Sequence, residues 1–428
     1  MPPSRRRILE LGALSMTALG GCSALGDPPP EGTPTETPDG TETPDPTATP
    51  TDEVAPELVC GTGPLPDAGW PLSERSVGRT NYAPDGDGPT EKPSAEWSVT
   101  ATAPEQGEVR FTRPIVTDDR IYVGRRVVVG TSVPKPDKQY LQAYDAATGD
   151  RLWEYAIAGT PRAVAATDEA VLVADRGTLH AVESGGESAR WTHEPDGGVD
   201  DVLPIPDGVL VASTRADSDD TVVALLSDGE VEWDVTVDTW LDSSLGWTDG
   251  RAYLATNGAE LVAIDTDEGE QLWTHNLHDR EDRNPATLLV TPCAVFVAVD
   301  EALYAADRDG EVAWSVNKSF RDLATDGEYI YGVDGDGYAR SLSIEDGDED
   351  WEEFRGAVNE RYTDGFFDGL AIDDETLYAG TLEDGLLAIS TDSGDVRWVL
   401  ERDLDGVSVS VVDDTLYAAW GNRLLAFR

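Results

Sequence analysis

Short apolar runs broken by acidic or glycine turns recur along most of the chain. "PIVTDDRIYVG", "AVAATDEAVLVAD", "LPIPDGVLVAS", "LGWTDGRAYLA", "LLVTPCAVFVAV", "LATDGEYIYGV", "LAIDDETLYAG" and "VSVVDDTLYAA" each read as two strands joined by a hairpin. A third run follows each, with Leu-x-Ala or a close variant: Leu141 and Ala143, Leu179 and Ala181, Val222 and Ala224, Leu261 and Ala263, Leu303 and Ala305, Leu386 and Ala388, Leu424 and Ala426. The copy in "YARSLSIEDGDEDWEE" is degenerate but keeps its Gly347. After the third run come a glycine turn and a fourth run carrying tryptophan. Alternation with period 2 puts the Leu and the Ala on one face of a strand.

The tryptophans are Trp97, Trp153, Trp191, Trp233, Trp273, Trp314, Trp351 and Trp398, at a mean spacing of 43 residues. That spacing suits four strands per β-propeller blade. Trp97 has no Leu-x-Ala before it, and Leu424-Leu425-Ala426 has no Trp after it. Residues 94–428 are therefore expected to form an all-β, eight-bladed propeller of four-stranded antiparallel blades. The N-terminal strand completes the last blade, which leaves no open sheet edge. In this reading Trp fills the space between blades, Ala makes room for the neighbouring blade, and Gly supplies the positive φ of the turn.

These units resemble the PQQ-like, Trp-docking propeller repeats, and the lipoprotein of haloarchaeal type that they would form is BamB-like. "WPLSERSVGRTNYAPDGDGPTEKP" also resembles the lead-in of exported proteins of this kind, so residues 61–93 are expected to pack on the propeller. The resemblance implies that any quinone cofactor would sit over the central channel, on the face of the blade crossings and the 2–3 loops. The Trp-bearing turns lie on the opposite face. Eight positions start the innermost strands on the cofactor face and are candidates for binding a ligand at the channel mouth: Arg113, Arg162, Asp201, Asp242, Arg283, Asp322, Asp368 and Asp405, with Trp240, Phe366 and Phe367 nearby. The competing reading is a solvated rim with internal ion pairs.

The quinoprotein dehydrogenases of this family also carry a vicinal cysteine pair, calcium ligands and a catalytic aspartate. Here there is no Cys-Cys dipeptide, and no calcium triad or catalytic set can be placed. "DGDGYARSLSIE" starts like an EF-hand loop, but Tyr338 and Ala339 stand where that loop needs an oxygen ligand and glycine. It reads as a glycine-rich hairpin turn. His275 and His278 lack a third ligand nearby and read as part of a polar insertion. No metal and no cofactor is expected. PQQ with calcium belongs only to the alternative, a dehydrogenase of alcohols or sugars; a carbohydrate or peptide at the channel mouth is a third reading. The leading one is a monomeric, non-enzymatic scaffold with an unidentified protein or small-molecule partner.

Charge adds the setting. The chain holds 84 acidic against 31 basic residues, a net charge of −53, and only four of its cations are lysine. Such a surface excludes nucleic acid as a partner. The acid is spread along the chain, as adaptation to a very salty medium requires and a dedicated acidic tail does not.

The first sixty residues concern location. Residues 1–22 read as a twin-arginine signal with a lipobox: Arg5-Arg6, a short apolar run too short to cross a bilayer, and Leu19-Gly20-Gly21-Cys22, with Cys22 lipidated. Residues 23–60 form a tether expected to be disordered, since Asp27–Leu58 has nine Pro, eight Thr and no aromatic residue. The product is a propeller anchored by lipid to the outer face of the cytoplasmic membrane, facing the exterior. Cys60 and Cys293 remain, and an exported location permits them to pair. Because unscreened carboxylates repel one another, the thermal midpoint should rise between ~0.1 M and ~3 M salt. A scan in both solutions checks this; an unchanged midpoint contradicts it.

Overall fold

The computed structural model describes residues 58–428, apart from 64–68, 85, 104–106, 118, 130–137, 176, 187, 216, 219, 242, 278–284, 300, 335–337, 355–368, 381–384 and 402–405. The signal with Cys22 and nearly all of the tether lie outside the described residues. Every regular element described is a β-strand, and the strands form eight antiparallel blades. Blade 1 runs through Ile115–Thr117, Arg120–Val128, Gln139–Asp145 and Arg151–Ile157, with Glu108–Phe111 also on the long second strand. That innermost edge breaks at Thr112–Pro114, where proline has no N–H for the ladder. Blades 2 to 7 follow in chain order, each innermost strand first: Ala163–Ala166, Gly197–Ile205, Gly246–Thr248, Pro285–Val290, Phe320–Thr325 and Leu370–Asp373. Blade 8 takes Val407–Val412, Thr415–Trp420 and Arg423–Phe427 from the C-terminus and Ala95–Thr100 from the N-terminus. The eighth Trp strand is thus the N-terminal one.

The blades are held by a repeated contact. The indole of every repeat Trp but Trp398 lies over the turn glycine of the next blade, so that a Cβ on Gly149 would stand 2.7 Å from Trp97, and one on Gly394 2.7 Å from Trp351. Both glycines have φ of +73°. One residue type therefore meets two demands, a left-handed turn and a flat floor for the ring. The indole N–H donates to a carbonyl of the same turn: Trp97 to Ala146 at 3.0 Å, Trp153 to Ser184 at 3.0 Å, Trp233 to Thr266 at 3.1 Å, Trp314 to Ile344 at 2.8 Å and Trp351 to Thr391 at 2.7 Å. Burial of each ring contributes about 2–3 kcal/mol. Trp273 is different: its Nε1 is buried without an acceptor.

The alanine works within its own blade as well as between blades. Tyr122, Ala143 and Trp153 sit opposite one another on adjacent strands, as do Tyr253, Ala263 and Trp273, and Tyr378, Ala388 and Trp398. The methyl side chain lets the two aromatic rings close over it, with centroids 5.8, 6.1 and 6.1 Å apart. Beside each alanine the outer strand carries a bulge, as between Ala143 and Tyr144, which adds the local twist that aims the Trp. Blade 3 corrects the expected register. Leu225, not Ala224, stands opposite Trp233. Its turn is only Asp228-Gly229, with φ of 50° and 86°, so the third strand is offset by one residue.

The seam between blades 7 and 8 lacks a turn glycine, because the third and fourth strands of blade 8 come from opposite ends of the chain. There the lead-in substitutes: the Trp398 indole N–H donates to the Pro89 carbonyl at 2.7 Å. Upstream of Pro89 the lead-in does more than pack on the propeller. It winds around the inside of the central channel, near the 1–2 hairpins, and meets the innermost strands in turn. Trp70 and Val116 exchange main-chain hydrogen bonds in blade 1, and Pro71 accepts from Ala166 in blade 2. Leu72 joins the apolar cluster of Leu203 and Ile205 in blade 3. Val77 accepts from Trp247, Gly78 from Val290, Thr80 from Thr325 and Asn81 from Ile372 in blades 4 to 7. Tyr82–Ala83 adds a short parallel strand to blade 7, and Asp87 donates to Asp413 in blade 8. Residues 70–87 are a plug made of the protein's own chain. Cys60 and Cys293 are joined in a disulfide with Cα atoms 5.9 Å apart, which ties the start of the lead-in to the 1–2 hairpin of blade 5.

Two glycines separate the demands made on the turns. Gly250 has φ of +78° and open space where a Cβ would go, whereas Gly394 has Trp351 there. Gly250→Ala should cost about 1–2 kcal/mol from backbone strain alone. Gly394→Ala should cost about 1–3 kcal/mol more, from the displaced indole. Denaturant unfolding of both variants measures the difference; equal losses would show that the indole is not seated on the glycine.

Candidate functional site

The crossing face is where the eight candidate positions were expected. Asp242, Arg283, Asp368 and Asp405 lie outside the described residues, as do Phe366, Phe367 and His278. Of the other four, three are engaged by the plug. Arg113 is 3% exposed. Its Nε donates to the Val409 carbonyl at 2.8 Å, Nη1 to Asn81 Oδ1 at 2.9 Å, and Nη2 to the Leu370 carbonyl. Asp322 accepts from the Leu370 N–H at 3.0 Å and from the Asn81 side-chain amide at 3.3 Å. Asp201 accepts from Arg79 Nη2 at 2.5 Å and from the Leu245 N–H at 2.7 Å. Arg113 and Asp322 are buried and Asp201 is half-buried, and each is held by partners within the protein, Asp201 in an ion pair with Arg79. Arg162 is exposed at the mouth, its backbone N–H held by the Ala174 carbonyl.

Arg79 is the centre of this arrangement. It is buried with every donor group used: Nε to the Leu245 carbonyl at 2.7 Å, Nη1 to Ser73 Oγ at 3.1 Å and to Glu74, and Nη2 to Asp201. Burial alone would raise the Glu74 carboxyl, but Arg79 and the Ser73 hydroxyl hold it below its ordinary value. Burial raises Asp201, and Glu74, sharing the same arginine, works in that direction too. Two guanidinium groups lie over the Trp70 ring, Arg113 at 5.3 Å and Arg75 at 5.8 Å from its centroid. Breaking one partner of such a buried set leaves an uncompensated charge, which is strongly unfavourable.

Above the plug, off the axis, a cavity of about 730 Å³ opens at the mouth. Its wall includes Arg110, Arg113, Arg126 and Arg162 together with Glu74, Asp200 and Asp201, over an apolar floor of Phe111, Ile115, Val164 and Val407. Arg79, Glu74, Asn81, Arg110 and Arg126 were not among the expected site residues. A signal for the first three was present in "SERSVGRTN", where two arginines fall within five residues of a chain short of cations.

The other chemistry considered lies elsewhere. His275 packs against the edge of Trp273, with centroids 5.0 Å apart. The segment that starts like an EF-hand joins the second and third strands of blade 6, Tyr329–Asp334 and Tyr338–Ser343. Among the described residues no three His, Cys, Asp or Glu side chains are grouped to hold a metal ion. Trp240, on the crossing between blades 3 and 4, is 52% exposed.

The family described as "Outer membrane protein assembly factor BamB" matches residues 137–239, 175–298 and 218–427. No curated protein matches the sequence. Among solved structures, BamB from Moraxella catarrhalis is 16% identical, covering 79% of this chain and 98% of its own, with a TM-score of 0.59. The quinohemoprotein alcohol dehydrogenase of Comamonas testosteroni is 13% identical, covering 84% of this chain and 80% of its own, with a TM-score of 0.63. The computationally designed Ika8 protein is 12% identical, covering 77% of this chain and 98% of its own, with a TM-score of 0.62. At such identities the likeness is one of fold. The repeats, their register and the family match together place this chain in the BamB family of PQQ-like β-propellers.

Proposed function

We propose that this protein is an exported, lipid-anchored propeller that serves as a non-enzymatic scaffold or binding module at the outer face of the cytoplasmic membrane. The observation that carries the reading is the plug. The axis of the ring is filled by Arg79, Asn81 and Trp70 of the chain itself, and Arg113, Asp201 and Asp322 are engaged in holding them. The surface left for recognition is the loops of the crossing face and the off-axis cavity. Membership of the BamB family agrees with a scaffold.

The alternative, a quinone-dependent dehydrogenase, has the fold likeness of two quinohemoprotein alcohol dehydrogenases in its favour. The residues described do not fit that cofactor set. The family's dehydrogenases need adjacent cysteines, whereas Cys60 and Cys293 are paired with each other, 233 residues apart in the chain. No carboxylate group suited to calcium is assembled among the described residues.

Affinity capture from the native membrane in high salt tests the scaffold reading. Wild type should retain a partner in near-equal amount. Trp240→Ala should reduce that retention about fivefold or more, as loss of an exposed aromatic anchor does, with an unchanged thermal midpoint. Dye-linked alcohol or sugar oxidation after reconstitution with PQQ and calcium would overturn the reading. For the anchor, Cys22→Ser should move the protein from the membrane to the soluble fraction; unchanged membrane retention would contradict it.

A further inference from the structure

We propose that Asn317, on the crossing from blade 5 to blade 6, is an acceptor for an asparagine-linked saccharide. Of the seven asparagines in the chain, only Asn317 is followed two residues on by a hydroxyl, in Asn317-Lys318-Ser319, with no proline between. That spacing is the acceptor motif for N-glycosylation, and it has to stand on the surface of an exported protein. Glycosylation here therefore rests on the export reading. A chain that reaches the exterior already folded is modified only where its folded surface presents the acceptor.

The fold presents it. Three residues join the outermost strand of blade 5, Val312–Val316, to the innermost strand of blade 6, Phe320–Thr325. The Lys318 N–H donates to the Val316 carbonyl at 2.9 Å, which makes a three-residue turn with Asn317 at its apex. The crossing from blade 3 to blade 4 has the same turn: Thr239 donates to Val237 at 2.7 Å, and Asp238 takes the apex. Both apex residues are exposed. Lys318 is tied down instead, its ammonium 2.5 Å from Glu349 on the outermost strand of blade 6, where Arg340 also reaches Glu349 at 2.7 Å. Neither the Asn317 side-chain amide nor the hydroxyl of half-buried Ser319 is engaged among the described residues. Asn81 and Asn422, by contrast, commit their amides to the carbonyls of Leu323 at 2.8 Å and Ala101 at 3.1 Å. The donor would be a saccharide activated as a lipid phosphate ester. The Asn317 amide nitrogen forms a bond to the anomeric carbon, the anomeric C–O bond breaks, the lipid phosphate leaves with the electron pair, and one amide proton passes to a base of the transferase. A saccharide there covers the rim of blades 5 and 6 and leaves Trp240, on the crossing between blades 3 and 4, clear for a partner.

Mass spectrometry of the full chain purified from its native membrane tests the proposal. Trypsin, cutting after Arg308 and after Lys318 or Arg321, releases a short peptide that carries the site. That peptide should be heavier by one saccharide chain, with fragment ions that place the added mass on Asn317. Asn317→Gln and Ser319→Ala should each abolish the added mass, and Ser319→Thr should keep it. Ser319→Ala leaves the asparagine in place, so its effect isolates the motif. An unmodified peptide from protein whose N-terminus has been processed to Cys22 would overturn the proposal and leave the export reading standing. An unmodified peptide from protein that still carries Arg5 and Arg6 would overturn both. Added mass that persists in the Ser319→Ala protein would overturn the proposal as well.

Discussion

An indole laid over a glycine is the contact on which this molecule depends. Twisted four-stranded sheets arranged in a ring meet along narrow seams, and each seam needs a large flat group on one side and no side chain on the other. Seven seams find both within the repeat, as Trp97 does on Gly149 and Trp351 on Gly394. The eighth cannot, because the strand order that closes the ring also removes the turn from blade 8. The Pro89 carbonyl fills that place for Trp398. Once the lead-in is required at the last seam, its upstream part is drawn across the inner ends of the blades, and the plug follows from the closure.

The propeller was legible because its cause is periodic. Tryptophan every 43 residues, with hairpins between, specifies blade number, strand number and the split closure. The aromatic that meets Trp153, Trp273 and Trp398 was equally legible in "RIYVG", "RAYLA" and "TLYAG", but only the pairing register shows that the alanine between them makes the space. Blade 3 was misjudged because a shortened turn moves the register by one residue while leaving the apolar pattern almost unchanged.

The site was legible only in part. Strand order put Arg113, Asp201 and Asp322 at the starts of the innermost strands, whereas Arg113 lies in the break before Ile115–Thr117 and the two aspartates lie inside Gly197–Ile205 and Phe320–Thr325. It gave no account of their partners, since the plug is not periodic and bonds largely to main-chain groups, which leave no mark on composition. Arg79 and Asp201 are 122 residues apart in the chain, and Asn81 and Asp322 are 241 apart. Only the folded ring brings them together. The same holds for the arginines of the cavity wall, which come from the first blade and from the crossing after it.

The central claim is that residues 70–87 are a structural part of the ring, and amide hydrogen exchange tests it directly. Peptides covering Trp70–Ala83 should exchange as slowly as the innermost strands, because the amides of Trp70, Arg75, Ser76, Arg79 and Asn81 donate to Val116 or within the segment, whose carbonyls in turn accept from Val116, Ala166, Trp247, Val290, Thr325 and Ile372 of the strands. Exchange of Trp70–Ala83 within seconds, while the innermost strands stay protected, would contradict the account.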